Sequence, residues 1–580
     1  MANAIIDTFD LWTTAQNLKT SNRGLSASNQ SLLGIKKLRE LILELAVSGK
    51  LVPQDPKDEP ANVLLGNIEK EKKHLVKEGV IKKQDAIPEI EEAEKPFKLP
   101  VGWQWIRIKN AGHDWGQKTP DSDFTYIDVS AIDNTKGEVK APTILKASET
   151  PSRARKIVRP GTVIYSTVRP YLKNICVIDK QYSPEPIAST AFAIMHPYLQ
   201  MPGRFFLFYL QSPVFIRYVE SVQNGIAYPA INDKQFFGGL LPLPPLAEQH
   251  RIVSKVDELM ALCDQLELQQ TSNNEAHQTL VDALLGTLTN AENPAAFEEA
   301  WQRISNHFDT LLTTEHSIDQ LKQTILQLAV MGKLVPQNPD DEPASELLKK
   351  IAKEKAMLVK DGKIRKQAVL SEINTDELPF KLPKEWVWVK MEDICTLITD
   401  GTHLTPRYSE NGRVFISAQN IKPFQFIPDN HKWVSEEHYQ GYIKNRKPER
   451  GDILLTRVGA GIGEAAVIDI DLEFAIYVSV GLLKINKENL NPNYLVLWLN
   501  SPLGRLHSAR NTYGKGVSQG NLNLSRIRNF AVSLPPLAEQ QLIFAKVNEL
   551  FALCDTLKER LSDAQALQNQ LAVAVVEQAV

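Results

Sequence analysis

The sequence predicts an α+β protein in which two globular α/β domains are separated by long coiled-coil helices. The whole is predicted to be an internal tandem duplication with pseudo-twofold symmetry. Three observations lead to this prediction: a repeat at a spacing of almost 290 residues, two interiors with the same rhythm of strands and helices, and heptad spacing after each interior. At 580 residues the chain also exceeds what one hydrophobic core normally holds.

The flanks of the two halves repeat closely. Leu45–Gln84 reappears as Leu328–Gln367 at an offset of 283, and LPPLAEQ at Leu243–Gln249 returns at Leu534–Gln540 at an offset of 291. A repeat of this length is too long for a solenoid unit. It indicates that a whole half-molecule was duplicated.

The interiors, residues 106–240 and 389–531, share a rhythm rather than a sequence. Alternating β-branched runs such as FTYIDVSAI and VFISAQNI predict strands, whereas residues 203–222 and 493–510 predict helices. Two α+β domains of one fold, with surfaces that differ, are therefore expected.

Charge is distributed unevenly along the chain. Residues 100–245 carry five more basic than acidic side chains and residues 383–536 carry three more, although the net charge of the chain is −3. Two mildly basic blocks on an acidic remainder weakly favour an anionic partner such as nucleic acid.

The LPPLAEQ segment predicts a sharp exit from a globular domain into a helix. Consecutive prolines keep the chain extended, and Glu248 and Glu539 fall in the first helical turn, where a carboxylate complements the helix dipole. The first helix is expected from Leu246 to about Asn290. It either covers its own domain or pairs with its counterpart as a spacer.

Both helices have apolar residues at alternating spacings of four and three, which predicts coiled-coil packing. Cys263 and Cys554 occupy equivalent positions and are interpreted as small buried thiols. The predicted seam residues are Ile252, Val256, Leu259, Cys263 and Leu266 in the first helix, and Ile543, Val547, Leu550, Cys554, Leu557 and Leu561 in the second.

Two sequence motifs typical of catalysis are absent: the chain has no GxxxxGK[ST] motif and no HExxH motif. Val458–Ala465 reads VGAGIGEA, but Glu464 stands where a dinucleotide-binding turn needs its third glycine, so a glycine turn between strands is the better interpretation. We expect a non-catalytic chain with no cofactor and no metal site.

Secretion and membrane insertion are not indicated. The four cysteines form no CxxC pair, the first residues do not resemble a signal peptide, and no apolar run approaches 18 residues. A cytoplasmic protein without membrane association is expected.

The duplicated LPPLAEQ exit, the heptad helices, two unlike domains in like frames, and DGTHLTPRY at Asp400–Tyr408 together resemble one family. This family is the specificity (S) subunit of type I restriction–modification enzymes, and the resemblance is greatest to the type IB subfamily. It covers essentially the whole chain. The first domain departs from the pattern, because GQKTPDSD at Gly116–Asp123 stands where the second domain has DGTHLTP.

The resemblance implies a DNA sequence-specificity subunit. Each globular domain would be a target-recognition domain that reads one half of a bipartite site in double-stranded DNA. The helices would separate the domains and dock the methyltransferase (modification) subunits, which bind S-adenosylmethionine. Restriction/translocase subunits, which use ATP, would join through the complex.

The resemblance also implies five regions. They are a helical conserved region at 1–99, target-recognition domain 1 at 100–245, a central conserved region at 246–382, target-recognition domain 2 at 383–536, and a C-terminal conserved helix at 537–580.

Candidate DNA contacts are polar or basic side chains beside glycine or proline, where loops are expected. In the first domain they are Lys118, Thr119, Arg153, Arg155, Lys156, Arg169, Tyr171, Lys173, Asn174, Asn224 and Tyr228. In the second they are Thr402, His403, Arg407, Tyr408, Gln419, Asn420, Arg457, Tyr513, Lys515, Ser518, Gln519 and Asn521.

Two alternatives of other classes remain open at this point. The chain could be a coiled-coil scaffold that displays two protein-binding domains, or a nucleotide-dependent enzyme that uses the Val458–Ala465 loop. The basic excess of both domains favours DNA over the scaffold, and the missing third glycine disfavours the nucleotide site.

Overall fold

The structure is a computed structural model that describes residues 12, 33–83, 88–225, 227–364, 366, 370–374, 378–444, 446–514 and 520–579. The chain divides into two compact units. Unit 1 comprises residues 1–273 and 563–580, and unit 2 comprises residues 274–562. Among the described residues, no helix combines the length and apolar character that crossing a bilayer requires.

From residue 33 onward, the described part of unit 1 consists of two helices followed by a mixed domain of short strands and helices. Its elements are α1 (Leu33–Val47), α2 (Ala61–Lys77), β1 (Gln104–Arg107), α3 (Ile108–Ala111), β2 (Gly112–His113), β3 (Phe124–Ile127), β4 (Ile132–Asp133), β5 (Glu138–Val139), β6 (Thr143–Leu145), β7 (Ala154–Ile157), β8 (Val163–Ser166), β9 (Ile175–Val177), β10 (Pro186–Ser189), β11 (Phe192–Pro197), α4 (Gly203–Gln211), α5 (Pro213–Val222), α6 (Asp233–Gly238), β12 (Leu240–Leu243) and the long helix α7 (Leu246–Asn290).

The strands of unit 1 form two four-stranded sheets and a closing pair. The sheet orders are β6-β3-β10-β7, in which β3 and β10 run parallel, and β2-β11-β8-β9. The closing pair joins β1 to β12 antiparallel, with Gln104 opposite Leu243, so the first and last strands of the interior lie together. Buried aromatic side chains such as Phe205, Tyr209 and Phe215 fill the core beside the second sheet.

Unit 2 repeats this plan after the end of α7. Its further elements are α8 (Pro294–Ser305), α9 (Phe308–Leu311), α10 (Glu315–Val330), α11 (Ala344–Lys360), β13 (Val387–Lys390), α12 (Met391–Ile394), β14 (Cys395–Asp400), β15 (Tyr408–Ser409), β16 (Arg413–Ile416), β17 (Ile421–Lys422), β18 (Gln425–Phe426), β19 (Lys432–Val434), α13 (Glu436–Ile443), β20 (Ile453–Thr456), β21 (Ala465–Val467), β22 (Phe474–Ile476), β23 (Val480–Ile485), α14 (Pro492–Asn500), α15 (Pro502–Arg510), β24 (Thr512–Tyr513), β25 (Asn521–Leu522), α16 (Leu524–Ile527), β26 (Ala531–Leu534) and the long helix α17 (Leu537–Ala579).

One sheet of unit 2 repeats its counterpart in unit 1, whereas the other differs at its edges: its parallel pair is central in unit 1 and lies at one edge in unit 2. The orders are β15-β19-β16-β22, with β16 and β22 parallel, and β14-β23-β20-β21. Strands β13 and β26 pair antiparallel with Val387 opposite Leu534, as β1 and β12 do in unit 1. The mixed helix-and-sheet character and the use of one frame in both interiors agree with the sequence prediction.

Each of the two runs that the sequence predicts to be helical is divided into two helices. Residues 203–222 form α4 and α5, and residues 493–510 lie in α14 and α15, with a break at a Ser-Pro step in each case. Proline has no N–H to continue the hydrogen-bond ladder, and Ser212 and Ser501 cap the following helix through their hydroxyl groups. The prediction that both runs are helical is confirmed, and the Ser-Pro step divides each run into two helices.

The first long helix spans Leu246–Asn290, so its predicted bounds are confirmed. In unit 1 its seam is covered by α1: Ile252 and Cys263 belong to one buried cluster with Leu38 of α1 and Ala572 of α17. Arg39 of α1 also donates to Asp264 at 2.7 Å. A third helix therefore lies on this seam, which heptad spacing alone does not predict.

The second long helix is covered in the same way within unit 2. Ile543 and Cys554 of α17 share a buried cluster with Ile325 of α10, and Lys322 of α10 pairs with Asp555. Of the predicted seam residues, Ile252, Val256, Cys263, Ile543, Val547 and Cys554 are buried, and Leu259, Leu266, Leu550, Leu557 and Leu561 are half-buried. Burial raises the pKa of the Cys263 thiol to about 11, as suits a structural cysteine.

A buried glutamate ties each long helix to its own domain. Glu248 accepts hydrogen bonds from the Trp103 indole at 2.9 Å and from the Gln54 amide at 2.7 Å. Glu539 accepts the equivalent bonds from Trp386 at 2.8 Å and Gln337 at 2.7 Å. Burial raises the pKa of both carboxyl groups, and the bonds from the two donors oppose that rise. We call each set of three residues a glutamate clamp.

Removal of a clamp carboxylate is expected to destabilise the unit that contains it. Glu248→Ala leaves the buried Trp103 indole N–H without its acceptor, so the free energy of unfolding should fall by about 1–3 kcal/mol in chemical denaturation. Glu258→Ala on the exposed side of the same helix is the matched control. Equal stability of both variants would contradict the role given to the clamp.

Candidate nucleic-acid interface

Basic side chains of the first domain gather along the edge strand β7. The backbone N–H of Lys118 donates to the carbonyl of Arg155 at 2.9 Å, which holds the Lys118 segment against β7. Lys118 is half-buried and pairs with Glu185. Lys156 is buried and donates to Asp233 at 2.9 Å, so its charge is already compensated inside the domain.

Two loops of the first domain meet each other. The first follows β8 and carries Arg169, Tyr171 and Lys173, and the second carries Asn224 and Tyr228. The backbone N–H of Arg169 donates to the Pro229 carbonyl at 2.8 Å. The Arg169 guanidinium lies 5.1 Å from the centre of the Tyr228 ring, a cation–π contact. The loops therefore present their side chains as one surface.

In the second domain, the DGTHLTP motif forms a turn that starts at the end of β14. Gly401 is required there, because a Cβ atom at that position would lie 2.1 Å from the Ile476 carbonyl oxygen. Thr402 continues the contact: its N–H donates to that same carbonyl at 3.0 Å. Arg446 donates to the carbonyls of Asp400 at 3.0 Å and Gly401 at 2.7 Å. These contacts hold the DGTHLTP turn in one position, and we call this turn (Asp400–Pro406) the platform.

A buried ion pair lies beneath the platform. Arg457 pairs with Asp400, and both side chains are less than 9% exposed. Arg457 also donates to the carbonyls of Leu522 at 2.9 Å and Val478 at 3.0 Å. On the outer side, Nε2 of the exposed His403 lies 3.1 Å from Oδ2 of Asp400, the same carboxylate oxygen that Arg457 contacts. The pair joins three loops and leaves His403 at the surface.

The structure separates the candidate residues by accessibility. The candidates with exposed side chains are Thr119, Arg153, Arg169, Tyr171, Asn224, Tyr228, His403, Arg407, Tyr408, Gln419, Tyr513 and Asn521. Three further candidates are half-buried: Lys118, Arg155 and Lys173. Buried are Lys156, Asn174, Thr402, Asn420 and Arg457. Lys515, Ser518 and Gln519 lie outside the described residues.

The buried candidates do not match the expectation of solvated loop side chains. Arg457 and Lys156 are held by Asp400 and Asp233. The Asn420 amide donates to the Ile427 carbonyl at 3.0 Å and shapes the turn that presents the exposed Gln419. These residues position neighbouring groups, because their polar atoms already have partners within the domain.

Sequence reasoning missed the residues that hold the loops. Arg446 fixes the DGTHLTP turn, and Arg528 donates to the Ile398 carbonyl at 2.7 Å in the strand that leads to it. The only local signal is a basic side chain near a turn, which many surface residues share. Their partners are more than 40 residues away in sequence.

The Val458–Ala465 loop is a turn between β20 and β21, as predicted. Its N–H groups at Gly463 and Glu464 donate to the carbonyls of Thr456 and Gly461, both at 2.9 Å. Those two groups are therefore used within the turn and do not form a phosphate cradle. In the described part of the chain, no group of three His, Cys, Asp or Glu residues is placed to hold a metal ion.

Comparison with known proteins gives consistent results. Residues 383–564 match the family model of the type I restriction modification DNA specificity domain. The chain is 37% identical to the type I restriction enzyme EcoAI specificity subunit of Escherichia coli over 99% of both chains. It is 36% identical to the EcoEI specificity subunit of the same species, again over 99% of both chains.

A solved structure shares the fold. It comes from work on complex assembly and conformational transition of the type I R-M system, and it covers 83% of this chain and 99% of its own. The TM-score is 0.50 and the sequence identity is 23%.

Breaking the buried ion pair is expected to destabilise the second domain strongly. Arg457→Met leaves the Asp400 carboxylate buried without its counter-charge, so the free energy of unfolding should fall by about 3–5 kcal/mol. Arg413→Met removes a surface cation that pairs with Glu436 and Glu473, and it should leave the denaturation midpoint almost unchanged. Similar midpoints for the two variants would show that the pair does not hold the platform.

Proposed function

Because this chain belongs to the family of type I restriction enzyme specificity subunits, we propose that it selects the DNA sequence on which a restriction–modification complex acts. Its two target-recognition domains each read one half of a bipartite site. Relatedness to two specificity subunits over 99% of the chain supports this assignment.

One observation carries the bipartite reading: the same frame is used twice with different loops. Both domains have the glutamate clamp, and in both a buried tyrosine hydroxyl, of Tyr209 or Tyr494, donates to the carbonyl of a closing strand. The candidate contacts differ, since Arg169 and Tyr171 stand in the first domain and His403 and Tyr408 in the second. One fold with two sets of loops suits a protein that reads two different sequences.

Affinity and specificity would come from different contacts. Exposed cations such as Arg153 and Arg407 would neutralise phosphates, which supplies affinity that does not depend on sequence. Polar side chains such as Gln419 and Asn224 would hydrogen-bond base edges in the major groove. The buried Lys156, Asn174, Thr402, Asn420 and Arg457 would set the positions of the loops.

The long helices would set the distance between the two half-sites, and we call this role the ruler. In this proposal α7 and α17 pair as coiled-coil spacers and relate the two domains by an approximate twofold axis. Two domains so related can address the same face of DNA when half-site centres lie about one helical turn, roughly 34 Å, apart. The regions are those implied by sequence: recognition domains at 100–245 and 383–536, and conserved regions at 1–99, 246–382 and 537–580.

The helices also offer equivalent positions for docking modification subunits. Leu262 of α7 and Leu553 of α17 are exposed, and they stand 291 residues apart, the offset of the repeat. Leu280 and Leu571 form a second exposed pair at the same offset. S-adenosylmethionine chemistry and ATP-driven restriction would belong to the partner subunits, and this chain would contribute no catalytic group.

Co-expression with the neighbouring modification subunit in a methylation-free host tests the function. We expect a stable complex, and modified adenines at a single two-part motif with a fixed unread gap. The control is the modification subunit expressed without this chain, which should produce no such motif.

Two results would contradict the proposal. A stable complex that modifies no defined sequence would favour a scaffold with two protein-binding domains. Failure of the subunits to co-purify would count against the docking role of the helices, and the DNA role would then be judged by the affinity of this chain for duplexes at several salt concentrations.

A further inference from the structure

The first domain concentrates its exposed apolar side chains at one place. Among the described residues between 100 and 245, six large hydrophobic side chains are exposed. Four of them, Val168, Tyr171, Leu172 and Tyr228, lie on the two loops that meet beside Arg169, and Tyr171 and Tyr228 are 59% and 70% exposed. We call these four residues the apolar tip. Singly exposed apolar residues are ordinary, but a cluster on two joined loops indicates a contact surface.

The tip is held rigidly. Residues 170–172 form a 3-10 turn, and the residues on both sides of it, Arg169 and Lys173, have φ of 51° although neither is glycine. Backbone of this kind persists only where surrounding contacts enforce it. Here the Arg169 N–H donates to the Pro229 carbonyl at 2.8 Å, and the Asn134 amide donates to the Leu172 carbonyl at 2.8 Å. The side chains are therefore presented in a fixed position before any partner arrives.

The surroundings of the tip favour a polyanion over a protein. Arg169 and Lys173 bracket Tyr171 and Leu172 in sequence, and the domain carries an excess of five basic residues. A rigid apolar group flanked by cations is the arrangement that DNA-bending proteins use to enter a base step while neighbouring charges hold the phosphates.

We propose that the apolar tip is a wedge for duplex DNA, in which Tyr171 and Leu172 enter the groove and partly unstack one base step of the first half-site. The wedge rests on the proposed function. It adds a second way of distinguishing DNA sequences, because the energy needed to unstack a base step depends on the sequence of that step. Residues of the tip thereby determine specificity without hydrogen bonds to base edges.

The second domain offers an internal comparison. The bridge between Val168 and Ala230 corresponds to one between Val458 and Asn521. After Val458, however, the chain continues as the glycine turn Gly459–Gly463, and its described residues carry no exposed large hydrophobic side chain. The other loop at this bridge carries one exposed aromatic residue among its described positions, Tyr513, whose hydroxyl accepts a hydrogen bond from Arg526. A lone tyrosine held in this way is not a cluster of apolar side chains, so we expect the wedge to act on the first half-site alone.

The test uses the full chain and duplexes that contain the mapped site, with 2-aminopurine placed at successive steps of each half-site. Wild-type protein should raise the fluorescence at one step of the first half-site and at none of the second. Tyr171→Ala combined with Leu172→Ala should abolish this rise and weaken specific binding at least tenfold. The slope of log affinity against log salt should stay unchanged, because no phosphate contact is removed.

Two variants control for structural effects. Ile144→Ala removes another exposed hydrophobic side chain of the same domain and should behave as wild type. Tyr171→Phe keeps the ring and should keep the fluorescence rise.

The outcomes separate the wedge from the function on which it rests. A double variant that keeps the fluorescence rise and the affinity would overturn the wedge and leave specificity by base contacts standing. A double variant that binds DNA normally but loses the modification subunit would show a protein-docking surface. A wild-type chain with no preference for its mapped site would overturn the proposed function and the wedge together.

Discussion

The buried glutamate at the start of each long helix is the constraint on which the remaining structure depends. Glu248 fixes the first turn of α7 to the tryptophan that leads into β1, while β12 pairs with β1 immediately before the helix begins. The direction of the helix is thereby coupled to the sheets of its domain. Glu539 does the same for α17 through Trp386. Under the proposed function this coupling would matter, because a flexible junction would let each domain choose its own spacing on DNA.

The frame and the loops have separate tasks. The closing strands, the clamp and the cover helices recur in both units with the same partners, whereas the side chains at the candidate DNA surface differ between units. Buried polar groups connect the frame to the loops. The Arg457–Asp400 pair lies within the frame yet fixes the loops that present His403 and the Leu522 segment. Under the proposed function, specificity would change through exposed residues while the buried groups preserve the geometry.

Much of this could be predicted from the sequence, for identifiable reasons. The bounds of α7 followed from proline at its start and heptad spacing along it, and the like frames followed from the internal repeat. The burial of Arg457 and Lys156 could not be predicted, because their partners Asp400 and Asp233 lie 57 and 77 residues away. Local composition also placed these side chains beside turns, where exposure is the ordinary expectation. The packing of α1 on the seam of α7, and of α10 on the seam of α17, could not be predicted for the same reason. Heptad spacing shows which face of a helix is buried, but not which element packs against that face.

The central claim is that the two domains read independently on a fixed ruler. Exchange of residues 106–240 for the matching interior of another family member, followed by mapping of modified adenines in the complex, tests it most directly. The account predicts that the first half-site changes, while the second half-site and the unread gap stay the same. A change in both half-sites, or in the length of the gap, would contradict the account, because the frame would then not separate the reading of sequence from the measurement of distance.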